Sequence, residues 1–377
     1  GYARALREDG SAAAVAGGAD AICGVNTVGP GQYNSHGQAV LSNGMGGMSG
    51  KGVLPIALKC VDEISNAVDC PIIACGGISS ADNVRSFQKA GAKIIGIGSA
   101  LVGMTTAQIG DYFSALSSDL LADTEKAESL VRYDIDMSFD SVTLVKNEKI
   151  CDDISILTFN KKVGVQAGEF VFLWIPGLGE KPFSALTDDP FSLVVINLGT
   201  FTKTLIDLEP GAEAYVRGPH GMPVNPPEGA KIMTVSGGTG LAAVYQLARD
   251  LGDEGAQCPE MFVGARSDDR LYFIDECKAI STLHIATDDG SRGYNGRVTD
   301  MLRERLQQLS ANELENLYFY NCGPEPMVHA AIAVQKEFCG NHQIHSAIDY
   351  MTKCGVGICG ACNAPDGRRL CVDGPFL

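Results

Sequence analysis

Tyr350-Met-Thr-Lys-Cys354-Gly-Val-Gly-Ile-Cys359-Gly-Ala-Cys362-Asn-Ala-Pro-Asp-Gly-Arg-Arg-Leu-Cys371 holds four of the chain's 13 cysteines, spaced C-x4-C-x2-C-x8-C. That is the ligand spacing of a plant-type [2Fe–2S] cluster. Gly355, Gly357 and Gly360 let the backbone fold closely and turn N–H groups toward cluster sulfurs. Pro365-Asp-Gly367 is a turn signal that brings Cys371 back toward the first three thiols. Zinc is the rival reading, but zinc sites usually show two separated C-x2-C pairs, and this run has one pair with an outlier on each side. A disulfide framework belongs to small secreted domains. Cys354, Cys359, Cys362 and Cys371 are therefore read as metal ligands. A one-electron carrier needs a donor and an acceptor, and the rest of the chain is read for them.

The chain has 377 residues, enough for two to four domains, with 45% hydrophobic and 20% charged residues. A net charge of −16 argues against nucleic-acid and anionic-membrane partners. No run of 18 apolar residues and no signal peptide is seen. Cysteine richness without an export signal fits a reducing cytoplasm. The start at Gly1 and the stop at Leu377 read as cut ends, so a fragment is expected.

Outward toward the N-terminus, three apolar runs recur: Ala19–Thr27, Cys70–Gly77 and Lys93–Ser99. Each is continuous rather than alternating, as in parallel strands buried on both faces. Val53–Ala67 carries a helical apolar stripe, and Ser80-Ala-Asp82 caps a helix running to Gly91. This is β/α alternation at barrel spacing. Gly76-Gly77 and Gly98-Ser99 stand at strand ends, where such barrels hold phosphate. The glycine-rich loop Gly44–Lys51 could close over a ligand, and a plain surface loop explains it equally well. Cys23 and Cys75 lie inside strands and are expected in the core.

Val25-Asn26-Thr27, Gly46–Gly50, Gly76-Gly77-Ile78 and Gly98-Ser99-Ala100 resemble the second half of the class 1 dihydroorotate dehydrogenase barrel. The resemblance implies FMN binding by Val25, Gly50, Gly76, Gly77, Gly98 and Ser99, and orotate binding by Asn26 and Thr27. It covers about three of the eight units of such a barrel. The family's catalytic base, a cysteine in the NAD-linked type, would lie upstream of Gly1.

Between about 127 and 228 the pattern changes to short strands: Tyr133–Met137, Ser141–Lys146, Ile154–Phe159, Glu169–Ile175 and Phe191–Asn197. Pro and Gly turns separate them, as in a small antiparallel barrel. Glu180-Lys-Pro-Phe-Ser184, read as following a strand, resembles the Arg-x-Tyr/Phe-Ser flavin signature of the ferredoxin reductase family, with Lys181 in place of Arg. The change loses bidentate phosphate geometry. By this resemblance FAD is held by Lys181, Pro182, Phe183, Ser184, Val195 and the small polar loop of Gly199 and Thr202. Val216–Pro223 ends the segment with a Gly-Pro turn.

Lys231-Ile-Met-Thr-Val-Ser-Gly237-Gly238-Thr239-Gly240 followed by Leu241–Asp250 reads as strand, glycine loop and helix. Backbone N–H groups at such a helix start cradle a diphosphate. Further β/α pairs follow at Glu260–Arg266, Ser281–Gly290 and Leu317–Pro326. Cys322, Gly323 and Pro324 match the Cys-Gly-Pro loop that meets nicotinamide in the ferredoxin reductase family. Arg266 is followed by Asp268 and Asp269, which would repel a 2′-phosphate, so NADH is preferred over NADPH.

Residues 130–377 as a whole resemble the electron-transfer subunit of NAD-dependent dihydroorotate dehydrogenase. The resemblance implies four domains: 1–126, part of a TIM (β/α) barrel for FMN; 127–228, an antiparallel β-barrel for FAD; 229–335, a Rossmann-like NAD domain; 336–377, a [2Fe–2S] loop domain. The implied activity is oxidation of dihydroorotate to orotate in pyrimidine biosynthesis, with electrons passing FMN, [2Fe–2S], FAD and NAD+ in turn. Homo-oligomerisation of the fused chain stays open. The rivals are an NAD(P)H–ferredoxin or sulfide dehydrogenase subunit, and a non-catalytic electron carrier.

Overall fold

The computed structural model describes residues 10–29, 37–38, 46–122, 138–253, 259–348, 351–357 and 359–377. The strand expected at Tyr133–Met137 and the first two residues of the Gly44–Lys51 loop lie outside them. The chain divides into two compact units, Gly1–Ile135 with Val356–Ile358, and Asp136–Gly355 with Cys359–Leu377.

In the first unit, strands β1 (Ile22–Gly24), β2 (Ile72–Cys75) and β3 (Ile94–Gly96) form a parallel three-stranded sheet in that order. Helices α1 (Leu54–Ala67), α2 (Ala81–Lys89) and α3 (Thr106–Leu121) alternate with them. Pro55 sits in the first turn of α1, where its missing N–H costs nothing. Ala57, Cys60, Val61 and Ile64 give that helix its buried stripe. The Ser80 hydroxyl accepts the Asn83 N–H at 3.3 Å and starts α2, as its sequence signalled.

Burial of these strands departs from expectation. In β2, Ile72 and Ala74 are buried against the helices, while Ile73 and Cys75 are only half-buried. Cys23 pairs in register with Ile73, so it shares that second face, and it is exposed. Cys23 and Cys75 are therefore not core residues. Their sulfurs approach to 3.8 Å, and burial together with the Cys23 thiol pushes the Cys75 thiol up. Helices pack on the face of Ile72 and Ala74, while on the other face Cys23 and Ile94 are exposed.

The second unit contains two sheets. Strands β4 (Asp140–Cys151), β5 (Ile154–Phe159), β6 (Phe170–Ile175), β7 (Gly179–Phe183), β8 (Ala185–Asp188), β9 (Phe191–Ile196) and β10 (Glu213–His220) form one antiparallel sheet, ordered β7-β6-β10-β4-β5-β9-β8. Its two end strands are joined by Ser184 alone, so the sheet curls back on itself. Phe159, Val171, Leu173, Phe191, Leu193 and Val216 fill a single core inside it, closed by α4 (Thr200–Ile206). Each such buried side chain contributes about 1.5–3 kcal/mol relative to exposure.

Strands β11 (Lys231–Gly237), β12 (Glu260–Ala265), β13 (Thr282–Thr287), β14 (Tyr294–Asn295), β15 (Leu317–Cys322) and β16 (Ile344–Ala347) form a parallel sheet ordered β14-β13-β12-β11-β15-β16. Strand β11 lies between β12 and β15, so the strand order reverses beside it. Helix α5 (Gly240–Asp253) follows β11 directly. Helices α6 (Val298–Leu306) and α7 (Glu325–Gln335) supply Val298, Leu302, Leu306, Ala331 and Val334 to the core behind Val235, Phe262 and Phe319.

Candidate functional site

The strongest site geometry lies at the carboxyl ends of β11 and β15, the position where open α/β sheets bind ligands. Gly237 and Gly323 approach so closely that a methyl group added at Gly323 would stand 2.7 Å from the Gly237 carbonyl oxygen. One added at Gly240 would stand 2.0 Å from the carbonyl oxygen of Cys322, and one at Gly237 would lie 3.5 Å from Pro324 Cδ. The fold thus brings Gly237–Gly240 and Cys322–Pro324 into one interlocked pair of loops. Thr239 is exposed at its rim.

Tyr272 braces this loop from beneath. Its hydroxyl donates to the Gly238 carbonyl at 2.7 Å. Burial raises the phenol well above its ordinary value and so keeps it a donor. Sequence reading passed over it because a tyrosine in Arg270-Leu-Tyr-Phe reads as core. Beyond β12, Asp268 accepts from Arg292 Nη1 at 3.0 Å, and its N–H donates to Ser291 Oγ at 2.8 Å. The acid is exposed but held in place, and Arg266 is exposed too.

Lys181, Pro182 and Phe183 lie within strand β7 and not in a turn after a strand, because they pair with Leu173, Phe172 and Val171 of β6. Lys181 and Pro182 are exposed; Phe183 packs on the core and stacks with Phe201 at 6.4 Å. That contact brings the segment beside Gly199 and Thr202. These two do not form a polar loop: Gly199 precedes α4 and Thr202 is in its first turn. Thr202 Oγ1 accepts the Leu198 N–H at 2.8 Å and donates to the Gly199 carbonyl at 3.2 Å. Phe201, Leu205 and Ile206 bury into the core and turn the segment helical. Val195 is fully buried in that core, so its side chain is not on the surface that Lys181 and Pro182 offer.

The cysteine loop brings two of its four thiols together and seats a third on the same apolar cluster. Cys362 and Cys371 are buried with sulfurs 3.4 Å apart, and Cys354 packs against the same group with Phe170, Phe172 and Leu370. Cys359 is exposed. Among the described residues, no three donor side chains stand close enough together to hold an ion as they are. The donor set and backbone still suit a thiolate-held cluster: Gly355, Gly357 and Gly360 all take left-handed φ values. Asn363 pairs with Arg369 across the Pro-Asp-Gly turn and returns Cys371 to Cys362. Arg217, from β10, touches this loop. The sequence signal for it is a cation inside the apolar strand run Tyr215-Val216-Arg217.

In the first unit, Val25, Gly50, Gly76, Gly77 and Ser99 come together at the strand ends. A methyl group at Gly76 would meet Ala57 at 2.5 Å and Val25 at 3.3 Å; one at Gly77 would meet the Gly50 carbonyl at 2.5 Å. Ser99 Oγ lies 3.7 Å from the position of a Gly50 Cβ. Gly98 precedes a short turn with open space around it. Asn26 and Thr27 are exposed, and Asn26 Oδ1 accepts the Thr27 N–H at 2.7 Å.

A curled antiparallel sheet followed by a parallel nucleotide-type sheet is a ferredoxin-reductase-like fold. A solved NADH-dependent reduced ferredoxin-NADP oxidoreductase matches it with a TM-score of 0.56 at 26% identity, covering 63% of this chain and 87% of that one. The model of the oxidoreductase NAD-binding domain matches residues 234–332, and that of dihydroorotate dehydrogenase matches residues 6–111. The chain is an electron-transfer module of the oxidoreductase class. Probable electron transfer subunits of dihydroorotate dehydrogenase B (NAD(+)) are similar: one from Thermococcus kodakarensis at 37% identity over 63% of this chain and 94% of its own length. Another, from Methanocaldococcus jannaschii, is 34% identical over 61% of this chain and 86% of its own. The chain belongs to this family of electron transfer subunits.

Proposed function

We propose that the chain carries the electron-transfer part of an NAD+-dependent dihydroorotate dehydrogenase, joined to part of its pyrimidine-oxidising barrel. The observation that carries this reading is the interlock of Gly237–Gly240 with Cys322–Pro324 at the reversal of the parallel sheet. Within residues 229–335, the first loop offers backbone N–H groups to a diphosphate, and the second walls the space beside it. Asp268, held by Arg292 and Ser291, selects a free ribose hydroxyl and so NADH. Within 127–228, Lys181 offers a cation, Phe183 an aromatic face and Ser184 a hydroxyl to FAD. Within 336–377, Cys354, Cys359, Cys362 and Cys371 would hold a [2Fe–2S] cluster. Within 1–126, Gly50, Gly76, Gly77, Gly98 and Ser99 would hold the FMN phosphate, with Asn26 and Thr27 toward orotate. Once bound, FAD supplies the conversion between hydride chemistry at nicotinamide and single-electron chemistry at the cluster. The protein's share is orientation, exclusion of water and charge. The setting is a reducing cytoplasm; among the described residues no helix is long and apolar enough to cross a membrane.

Anaerobic purification followed by flavin, iron and sulfide analysis tests the reading. FAD with iron and sulfide, and NADH-dependent dye reduction, are expected; FMN beside FAD supports the joined barrel. FAD alone points to a bare carrier, and absence of FAD would overturn the proposal. Dihydroorotate turnover by residues 1–377 is not expected, because the residue set above contains no base for the substrate proton.

A further inference from the structure

Arg217 is a buried cation inside a strand, and its partners join two parts of the proposed electron path. The residue is 3% exposed. Its Nε and Nη2 donate to the two oxygens of Glu180 at 2.7 and 2.8 Å, a bidentate pair. Its Cζ lies 3.9 Å from the centroid of the Phe172 ring. On the far side, Nη1 donates to the backbone carbonyl of Cys354 at 3.1 Å, and Nη2 reaches that of Lys353 at 3.4 Å. Nη1 also lies 3.0 Å from His220 Nε2, and burial, then the Arg217 charge, pushes that imidazole down to about 4. Gly355, at φ +76°, completes the fit: a Cβ there would stand 2.8 Å from Phe172 and 3.0 Å from Arg217 Nη1.

A buried ion pair is weak evidence of stabilisation, since apolar residues of the same volume often do as well. Its geometry has a clearer meaning. Glu180 immediately precedes Lys181-Pro182-Phe183, and Cys354 is the first thiol of the loop. One planar guanidinium therefore spans from the flavin-segment strand to the backbone of a cluster ligand. Lysine has no fork with which to hold Glu180 and two carbonyls at once.

We infer that Arg217 is a positioning residue that fixes the Cys354 loop to the strand of the flavin segment and sets, with Glu180, the charge felt by the group those thiols hold. This rests on the cluster reading above. Reduction adds negative charge, which a buried guanidinium favours and a buried carboxylate opposes.

The test uses the full chain, reconstituted anaerobically with iron and sulfide, in an EPR-monitored redox titration. Folding of each variant is checked by circular dichroism. Backbone hydrogen exchange over residues 351–357 is followed in parallel on the cluster-free protein. Arg217→Gln is expected to make the midpoint potential more negative and Glu180→Gln to make it more positive. Loss of the two carbonyl contacts should speed exchange over residues 353–355 by about tenfold in Arg217→Gln. Arg217→Lys keeps the charge and loses the fork, so its potential should stay near wild type while exchange rises. Potentials that fail to move in opposite directions overturn the charge role. Unchanged exchange in Arg217→Gln overturns the anchoring role. Should the wild-type chain take up no cluster, the cluster reading fails, and the exchange measurement still decides whether Arg217 anchors the loop.

Discussion

Two parallel sheets in this chain each have paired glycines at the end of a strand, Gly76-Gly77 just after β2 and Gly237-Gly238 straddling the end of β11. A side chain would be crowded at Gly76, Gly77 and Gly237, and Gly238 takes a left-handed φ of +56°. What differs is the sheet behind them. Strand β11 is buried from Ile232 to Gly237 within a six-stranded sheet. Strand β2 buries only alternate residues within a three-stranded sheet. A glycine turn says that backbone must come close to something. The layer beneath decides whether the turn is held rigidly enough to bind.

The comparison can be broken most forcefully at Gly240. Valine there collides with the Cys322 carbonyl, a backbone atom that cannot swing away. A loss of about 3 kcal/mol in denaturant stability is expected. NADH-dependent dye reduction should fall about a hundredfold. A tolerated Gly240→Val would mean that the two loops are not locked.

The far end of the same sheet sharpens the contrast. Glu260 accepts from Arg305 at 2.8 and 2.9 Å and lies 3.0 Å from His284 Nε2. Burial alone would raise its carboxyl, but the His284 and Arg305 hydrogen bonds prevail and hold it down to about 2, below its ordinary 4.5. A depressed carboxyl stabilises the fold above its unfolded pKa, and that stability is lost as pH falls toward the folded value. Glu260→Gln should therefore cost about 2 kcal/mol at pH 7. The deficit should shrink between pH 4.5 and about 2, as measured by urea unfolding across pH. A pH-independent deficit would assign the loss to packing.

Smaller effects are expected in the first unit. Gly76→Ala strains φ +126° and presses on Ala57 at 2.5 Å. It should cost about 1–2 kcal/mol and reduce FMN retention on gel filtration, with NADH-dependent dye reduction unchanged. Asp268→Ala should narrow the NADH-over-NADPH preference in kcat/KM by about tenfold. An unmoved ratio would place nicotinamide selection elsewhere.

The legible parts of the fold were those written locally. Ser80 before its helix, the run Ile154–Phe159 and the strand–glycine–helix order at Lys231–Asp250 each announce themselves within a few residues. The cysteine spacing is likewise local chemistry. Elements that depended on distant packing were hidden. Gly199-Thr-Phe-Thr202 looks like a polar loop until Phe201 and Leu205 find the core. Cys23 and Cys75 look buried until the register places both on the sheet face away from the helices. Arg217 could not be read at all as an anchor, since Glu180 lies 37 residues before it and Cys354 137 after. A charge in an apolar strand was its only trace.

The join at Ser184 has a consequence for register. Here the first and last strands of the curled sheet are one continuous stretch of backbone, so its seam is covalent. Strand β7 is registered by β6 and β8 by β9, and Ser184 has no slack to let one slide against the other. The hydroxyl proposed for the flavin therefore sits where two ladders fix the chain from both directions. An inserted residue there would loosen the seam and move that hydroxyl.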